Sequence, residues 1–77
     1  MITKSQLEQW ALRHGFCLDN YGHYQKVTTE GKIYRLSFNK LAVRYEVKIQ
    51  NEWVRISSGY YKNISISSDD KLAGLSK

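Results

Sequence analysis

Three stretches of alternating apolar and polar residues between Lys32 and Ser58 place the strongest constraint on how this chain folds. They read KIYRLSF, LAVRYEVKIQ and WVRIS, and the turns Asn39-Lys40 and Asn51-Glu52 separate them. Strand side chains point alternately to the two faces of a sheet, so pairing outward from these turns assigns every residue to a face. The apolar residues of all three strands then share one face, with Tyr34 opposite Tyr45. The pattern predicts three consecutive antiparallel strands.

The other face of this sheet is predicted to be basic. In the same register Arg35 faces Arg44 directly, and Lys48 faces Arg55. Like charges that face each other across two strands are unfavourable by about a few tenths of a kcal/mol per pair. A chain that tolerates two such pairs is expected to present them to a negatively charged partner.

A helix is predicted from Lys4 to His14. Thr3 and Gln6 have the spacing of a capping box, and Gly15 stands where a left-handed C-terminal cap is needed. Apolar residues follow at helical spacing and form a stripe that suits the apolar face of the sheet. Phe16 is expected to fold back over this stripe.

A further strand from about His23 to Thr29 is predicted to precede the other three. A Glu30-Gly31 hairpin turn would place Lys26 opposite Arg35, and so extend the basic row to a third strand. Alternation at Ile64 and Ile66 allows a fifth strand at an edge, and Ser67 with Asp70 resembles a short helix start. The predicted fold is therefore α+β, a single domain over residues 1–77. It has an N-terminal helix on one face of a four-stranded or five-stranded antiparallel meander, and ends in a short helical turn.

The net charge of +5 comes entirely from the sheet region. Eight Lys and Arg residues outnumber three Glu residues between Tyr21 and Lys62, whereas the segments on either side are neutral. Basic patches favour nucleic acid or acidic protein surfaces.

A chain of 77 residues is too short for a deep active-site cleft. No apolar run reaches the roughly 20 residues of a membrane span, and with one cysteine the fold needs no disulfide. We expect a cytoplasmic protein, without membrane partner or small-molecule substrate, as a monomer or homodimer.

Residue types that support metal binding or catalysis are sparse. His14, Cys17 and His23 lie close in sequence, but structural zinc sites need four ligands and usually paired cysteines. Cys17 stands between Phe16 and Leu18, which predicts a buried thiol rather than a nucleophile. We therefore expect no metal, no cofactor and no enzymatic activity.

The basic face with its aromatic residues is the remaining candidate for function. Arg and Lys neutralise phosphates, and exposed aromatic rings stack on bases. The predicted nucleic-acid-binding residues are Tyr24, Lys26, Arg35, Arg44, Lys48, Trp53 and Arg55. Trp53 has a structural alternative, packing on the stems of Lys48 and Arg55, and the Tyr60-Tyr61 pair could instead close one end of the core.

A protein partner is the alternative prediction for the same face. Trp, Tyr and Arg are enriched where protein interfaces are tightest, so Trp53, Tyr60 and Tyr61 are the predicted partner-binding residues. In that case the chain would be an adaptor, or an inhibitor of an enzyme that processes nucleic acid. The predicted function is thus nucleic-acid binding, with a protein-interaction module as the alternative.

Overall fold

The structure is a computed structural model that describes residues 2–77. One helix precedes five strands of a single antiparallel sheet, and a 3-10 turn at Tyr61–Asn63 leads to a separate small hairpin. In chain order the elements are α1 (Lys4–Arg13), β1 (Cys17–Leu18), β2 (Tyr24–Val27), β3 (Ile33–Phe38), β4 (Ala42–Ile49), β5 (Glu52–Tyr60), β6 (Ser65–Ile66) and β7 (Leu72–Ala73).

The predicted N-terminal helix is confirmed, and it ends one residue earlier than expected. The Thr3 side chain accepts a hydrogen bond from the Gln6 amide at 3.1 Å, while Gln6 Oε1 accepts one from the Thr3 amide at 2.9 Å. Gly15 takes a φ of +87°, and the Phe16 amide donates to the Ala11 carbonyl at 2.9 Å. This pairing ends the helix and turns the chain back towards the sheet.

Strands β1 to β5 lie side by side in sequence order, so the sheet is a five-stranded antiparallel meander. The strand that completes the sheet beyond the four predicted ones is β1, the short Cys17–Leu18 segment at one edge. Ile64 precedes β6, which pairs with β7 in a separate two-stranded sheet instead of extending the main one.

The register between β3 and β4 differs from the predicted one by two residues. Arg35 lies opposite Glu46 instead of Arg44, and Tyr34 lies opposite Val47 instead of Tyr45. The turn lies one residue later than predicted, at Lys40-Leu41, since the Asn39 amide donates to the Ala42 carbonyl at 2.8 Å. A shift by two residues leaves every side chain on its predicted face.

The β4–β5 hairpin shows a second two-residue shift, which extends from its turn to a β-bulge at Tyr45/Glu46. Its turn consists of Gln50 and Asn51, which have φ values of 51° and 65°, the left-handed conformation that tight two-residue hairpins favour. Lys48 consequently lies opposite Trp53, and Arg55 opposite Glu46. Both predicted pairs of facing like charges are therefore wrong.

The β2–β3 hairpin shifts by one residue, which moves its side chains to the opposite faces. The Thr28 amide donates to the Lys32 carbonyl at 2.8 Å and closes a three-residue loop in which Gly31 has a φ of +84°. Gln25 therefore lies opposite Arg35, and Lys26 lies opposite Tyr34. The prediction that Lys26 extends the basic row is wrong, because an odd loop length reverses the alternation.

One buried cluster joins the helix to the sheet. Leu7 and Ala11 of α1 are fully buried together with Leu36 and Val43 of the sheet. We call the face that carries Leu36 and Val43 the inner face, and the opposite one, which carries Arg35 and Glu46, the outer face.

The C-terminal segment forms a hairpin where a helical turn was predicted. Asp70, which has a φ of +62°, stands at its turn and accepts a hydrogen bond from the Trp10 indole on its backbone oxygen at 2.9 Å. The Asp70 carboxylate lies 2.8 Å from Arg13 and 2.9 Å from His14. Beyond β7, Ser76 pairs with Ser58 at the free edge of β5. The segment is thus tied both to the end of α1 and to the sheet.

We expect Asp70→Asn to remove much of the acid sensitivity of the fold. Hydrogen bonds from Arg13 and His14 lower the pKa of Asp70 from 3.8 to about 2. A carboxylate with a depressed pKa stabilises the folded state above its unfolded pKa, and this contribution is lost as the pH falls towards 2. Asn tolerates a positive φ, so the backbone is not perturbed. Urea unfolding of the wild type and Asp70→Asn between pH 2 and 7 checks this, with Asp69→Asn as the control; equal pH dependence in all three would contradict it.

Candidate nucleic-acid interface

The outer face carries rows of polar side chains that run across the strands. The central row contains Gln25, Arg35, Glu46 and Arg55 on neighbouring strands β2 to β5. Arg44 lies in the next row between Ser37 and Ser58, and Lys48 lies beside Trp53 nearer the β4–β5 turn. Four of the predicted cations, Arg35, Arg44, Lys48 and Arg55, therefore share one face.

Arg35 is engaged within the protein. Its Nε lies 2.7 Å from Glu46 Oε1, and the two side chains are only 17% and 6% exposed. Its guanidinium carbon lies 4.2 Å from the centre of a Trp53 ring, a cation–π distance. Arg35 thus neutralises a buried carboxylate and supports the half-buried Trp53, so its charge is less available to a ligand than predicted.

Three exposed cations surround this pair. Arg44, Lys48 and Arg55 have no carboxylate within 4.0 Å among residues 2–77. Lys48 Nζ lies 5.7 Å from the Trp53 ring centre, so Trp53 packs against Lys48 and Arg35. The predicted packing of Trp53 involved Lys48 and Arg55; Arg35 was not anticipated. The three exposed cations supply the positive charge that the outer face presents to solvent.

A groove of about 290 Å³ lies at the end of the outer face where β4 and β5 meet the C-terminal segment. Arg44 and Arg55 both line it, and Tyr60 lies at the same place with 57% of its surface exposed. The other lining residues are small or polar and supply amide and hydroxyl groups: Asn39, Ala42, Ser58, Gly59, Asn63, Gly74 and Ser76. The groove therefore combines two guanidinium groups with an aromatic ring and neutral hydrogen-bonding groups.

Two of the predicted aromatic contacts are buried and unavailable to a partner. Tyr24 is 8% exposed and lies on the inner face, since the one-residue shift of β2 reverses its orientation. Tyr61 is also 8% exposed, and its hydroxyl donates to the Asn39 carbonyl at 2.5 Å. Burial raises the pKa of both tyrosines. The alternative in which the Tyr60-Tyr61 pair closes the core holds for Tyr61, whereas Tyr60 is exposed.

Sequence reasoning missed the role of Glu46 and the residues of the groove wall. A β3–β4 turn placed one residue later, at Lys40-Leu41, would have put Glu46 opposite Arg35, and the sequence offers no other signal for it. Asn63, Gly74 and Ser76 lie in the 3-10 turn, after β7 and at the C-terminal bridge to Ser58, and reach the groove because this segment folds back on the sheet, which the sequence did not predict.

The residues considered for metal binding and catalysis lie apart. Cys17 is exposed on β1, so the prediction of a buried thiol is wrong. His14 contacts Asp70, and His23 Nδ1 is buried without a hydrogen-bond partner in the part of the chain that the structure describes. Within residues 2–77 no three His, Cys, Asp or Glu side chains are grouped closely enough to hold a metal ion.

Comparisons with known proteins add no functional information. No protein-family model, no curated protein and no solved structure gives a significant match to this chain. None of the helical segments in the described part of the chain is both long and apolar enough to cross a membrane.

Proposed function

We propose that this domain binds nucleic acid through the outer face of its sheet, mainly by phosphate contacts and with weak sequence preference. The observation that carries the proposal is the exposure of Arg44, Lys48 and Arg55 on one face without a carboxylate partner in residues 2–77. Cations that the fold does not use to neutralise its own carboxylates are available to phosphates.

The groove adds geometry to this charge. Guanidinium groups bind phosphate oxygens in a bidentate manner, and two of them line the groove together. Tyr60 offers an exposed ring for stacking on a base. Arg44 and Lys48 are four residues apart on one strand, which places them about 13 Å apart and allows contacts to more than one phosphate.

Removing the two groove arginines is the direct test. We expect Arg44→Gln/Arg55→Gln to weaken binding of fluorescein-labelled oligonucleotides about 25-fold for single strands and 60-fold for duplexes at 0.1 M salt. The slope of log K against log salt should fall by roughly 1.4 to 1.8, since each lost phosphate contact removes about 0.7 to 0.9. Fluorescence anisotropy at several salt concentrations measures both quantities.

The matched control is Lys4→Gln/Lys71→Gln, which removes the same charge from α1 and from the C-terminal hairpin. It should change the affinity less than threefold. Equal losses in the two double variants would show attraction to net charge alone and contradict a defined interface. Absence of binding to DNA and RNA at low salt would overturn the proposal.

A protein partner is the second candidate, and the stacked pair of Trp53 and Arg35 favours it. Trp and Arg are among the residue types most enriched at interface hot spots, and these two side chains lie together on the outer face near the β4–β5 turn. A complex of this kind is held largely by apolar and stacking contacts, so high salt would leave it intact while dissociating a phosphate complex.

A further inference from the structure

A cleft of about 330 Å³ opens on the inner face, away from the candidate interface. It lies between the end of α1, strands β2 to β4 and the C-terminal segment. Leu36 at its base is fully buried, whereas the neighbouring Tyr34 and Tyr45 are only half-buried. Sites for small ligands start at about 300 Å³, so the volume suits a ligand of one or two rings. The sequence predicted no deep cleft; this one forms where the inner face extends past the fully buried core.

The walls of the cleft are mostly aromatic. The rings of Tyr34 and Tyr45 are stacked, 5.5 Å apart and 14° from parallel. Across from them Trp10 stacks on His14 at 4.2 Å and 23°. Leu72 and Leu75 supply aliphatic surface. Aromatic walls of this kind favour a flat apolar body, since ring faces pack by offset stacking or edge contacts.

The polar groups of the cleft attract negative charge. Lys26 lines it with its ammonium 5.6 Å from the centre of the Phe16 ring, and within residues 2–77 no carboxylate lies within 4.0 Å of that ammonium. The hydroxyls of Tyr24 and Tyr61 are hydrogen-bonded inside the protein, whereas those of Tyr34 and Tyr45 have no such partner in the described part of the chain. The Tyr45 hydroxyl is protonated at neutral pH and can donate, and burial raises its pKa further. Donors are present, and Asp70, which contacts His14 of the cleft wall, is already engaged by Arg13 and His14.

We propose that this cleft binds a small organic anion with a flat aromatic body and one carboxylate. The body lies against the tyrosine and tryptophan rings, and the carboxylate meets Lys26. The site is independent of the nucleic-acid interface, because Lys26 and Arg44 lie on opposite faces of the sheet.

Two ligands that differ only in charge test the proposal. We expect 2-naphthoate to bind with a Kd of about 0.1 to 1 mM, a range suited to a ligand of its size, and the neutral 2-naphthamide to bind about tenfold more weakly. Lys26→Met keeps the apolar stem and removes the ammonium. It should reduce naphthoate binding about tenfold and leave naphthamide unchanged. Isothermal titration calorimetry on the whole chain measures these constants, with Lys32→Met as the control of equal charge.

The location is tested by filling the cleft. Leu72→Trp should abolish binding of both ligands, with circular dichroism to verify that the fold is kept. Equal affinities for naphthoate and naphthamide, no binding of either, or equal losses in Lys26→Met and Lys32→Met would each overturn the proposal. A Lys26→Met variant that loses oligonucleotide affinity while naphthoate binding is unchanged would assign the cleft to nucleic acid instead.

Discussion

Replacing Glu46 with Gln should destabilise the protein by about 3 kcal/mol and at the same time strengthen its binding to nucleic acid. The Glu46 side chain is 6% exposed and holds the Arg35 guanidinium at 2.7 Å. Removing one member of a buried ion pair leaves the other charge without compensation, which typically costs about 3 to 5 kcal/mol. We expect the lower end of this free-energy range because Arg35, at 17% exposure, keeps some contact with water.

The expected gain in binding has the same origin as the loss of stability. Without the Glu46 charge, Arg35 adds a fourth available cation to the outer face beside Arg44 and Arg55. The salt slope for oligonucleotide binding should rise by as much as about 0.9, the contribution of one additional phosphate contact. A loss of stability together with a steeper salt slope would therefore identify the release of Arg35 as the cause of both.

Urea unfolding and anisotropy titrations measure the two effects on the same preparations. Glu52→Gln makes the same change of charge at an exposed position in the β4–β5 hairpin, and should be close to neutral in stability and in salt slope. Arg35→Met/Glu46→Leu replaces both charges and should be more stable than Glu46→Gln, because no uncompensated charge remains. A Glu46→Gln protein as stable as the wild type, or one that binds no more tightly than Glu52→Gln, would contradict this account of the outer face.

How far the sequence predicted the fold depends on whether the deciding signal is local. The capping box at Thr3 and the glycine at Gly15 act within one or two helical turns, and the structure shows both as predicted. The division of β3 and β4 into two faces was also correct, because it follows from alternation alone. The C-terminal hairpin was missed because Asp70 interacts with Trp10, Arg13 and His14, about 60 residues away in sequence.

The candidate site was predicted less well because it depends on where each turn lies. The two-residue turns after β3 and β4 lie one residue away from their predicted positions, the loop after β2 is one residue longer than predicted, and these differences decide which side chains meet. The two-residue register shifts at the β3–β4 and β4–β5 turns kept Arg44, Lys48 and Arg55 on the outer face, but they placed Glu46 beside Arg35. The one-residue register shift between β2 and β3 moved Lys26 and Tyr24 to the inner face. Hydrogen bonds such as the one from Thr28 to Lys32 set the position and length of these turns, and residue composition does not reveal them.

Gly74→Ala should be the most damaging of the glycine-to-alanine changes in residues 2–77, with a loss of about 4 kcal/mol, since backbone strain and overpacking each cost about 1 to 3 kcal/mol. Gly74 has a φ of +101°, which side-chain-bearing residues rarely adopt, and a Cβ there would overlap the Asn63 carbonyl and approach the Ile64 Cα at 2.8 Å. The obstructing atoms are backbone and cannot rotate away. Ile64 is fully buried in the core, so relief requires moving the C-terminal hairpin as a whole.

Gly22→Ala separates the two causes of this loss. Gly22 has a φ of +83° and no atom of residues 2–77 lies within 4 Å of an added Cβ, so its substitution costs only the conformational strain of about 1 to 2 kcal/mol. The difference between the two variants in urea unfolding therefore measures the close approach of Gly74 to the 63–64 backbone. Because Leu72 and Leu75 line the inner cleft, Gly74→Ala should also abolish naphthoate binding, while Gly22→Ala retains it. Equal destabilisation by the two substitutions would show that the C-terminal hairpin does not pack against Asn63 and Ile64 in solution.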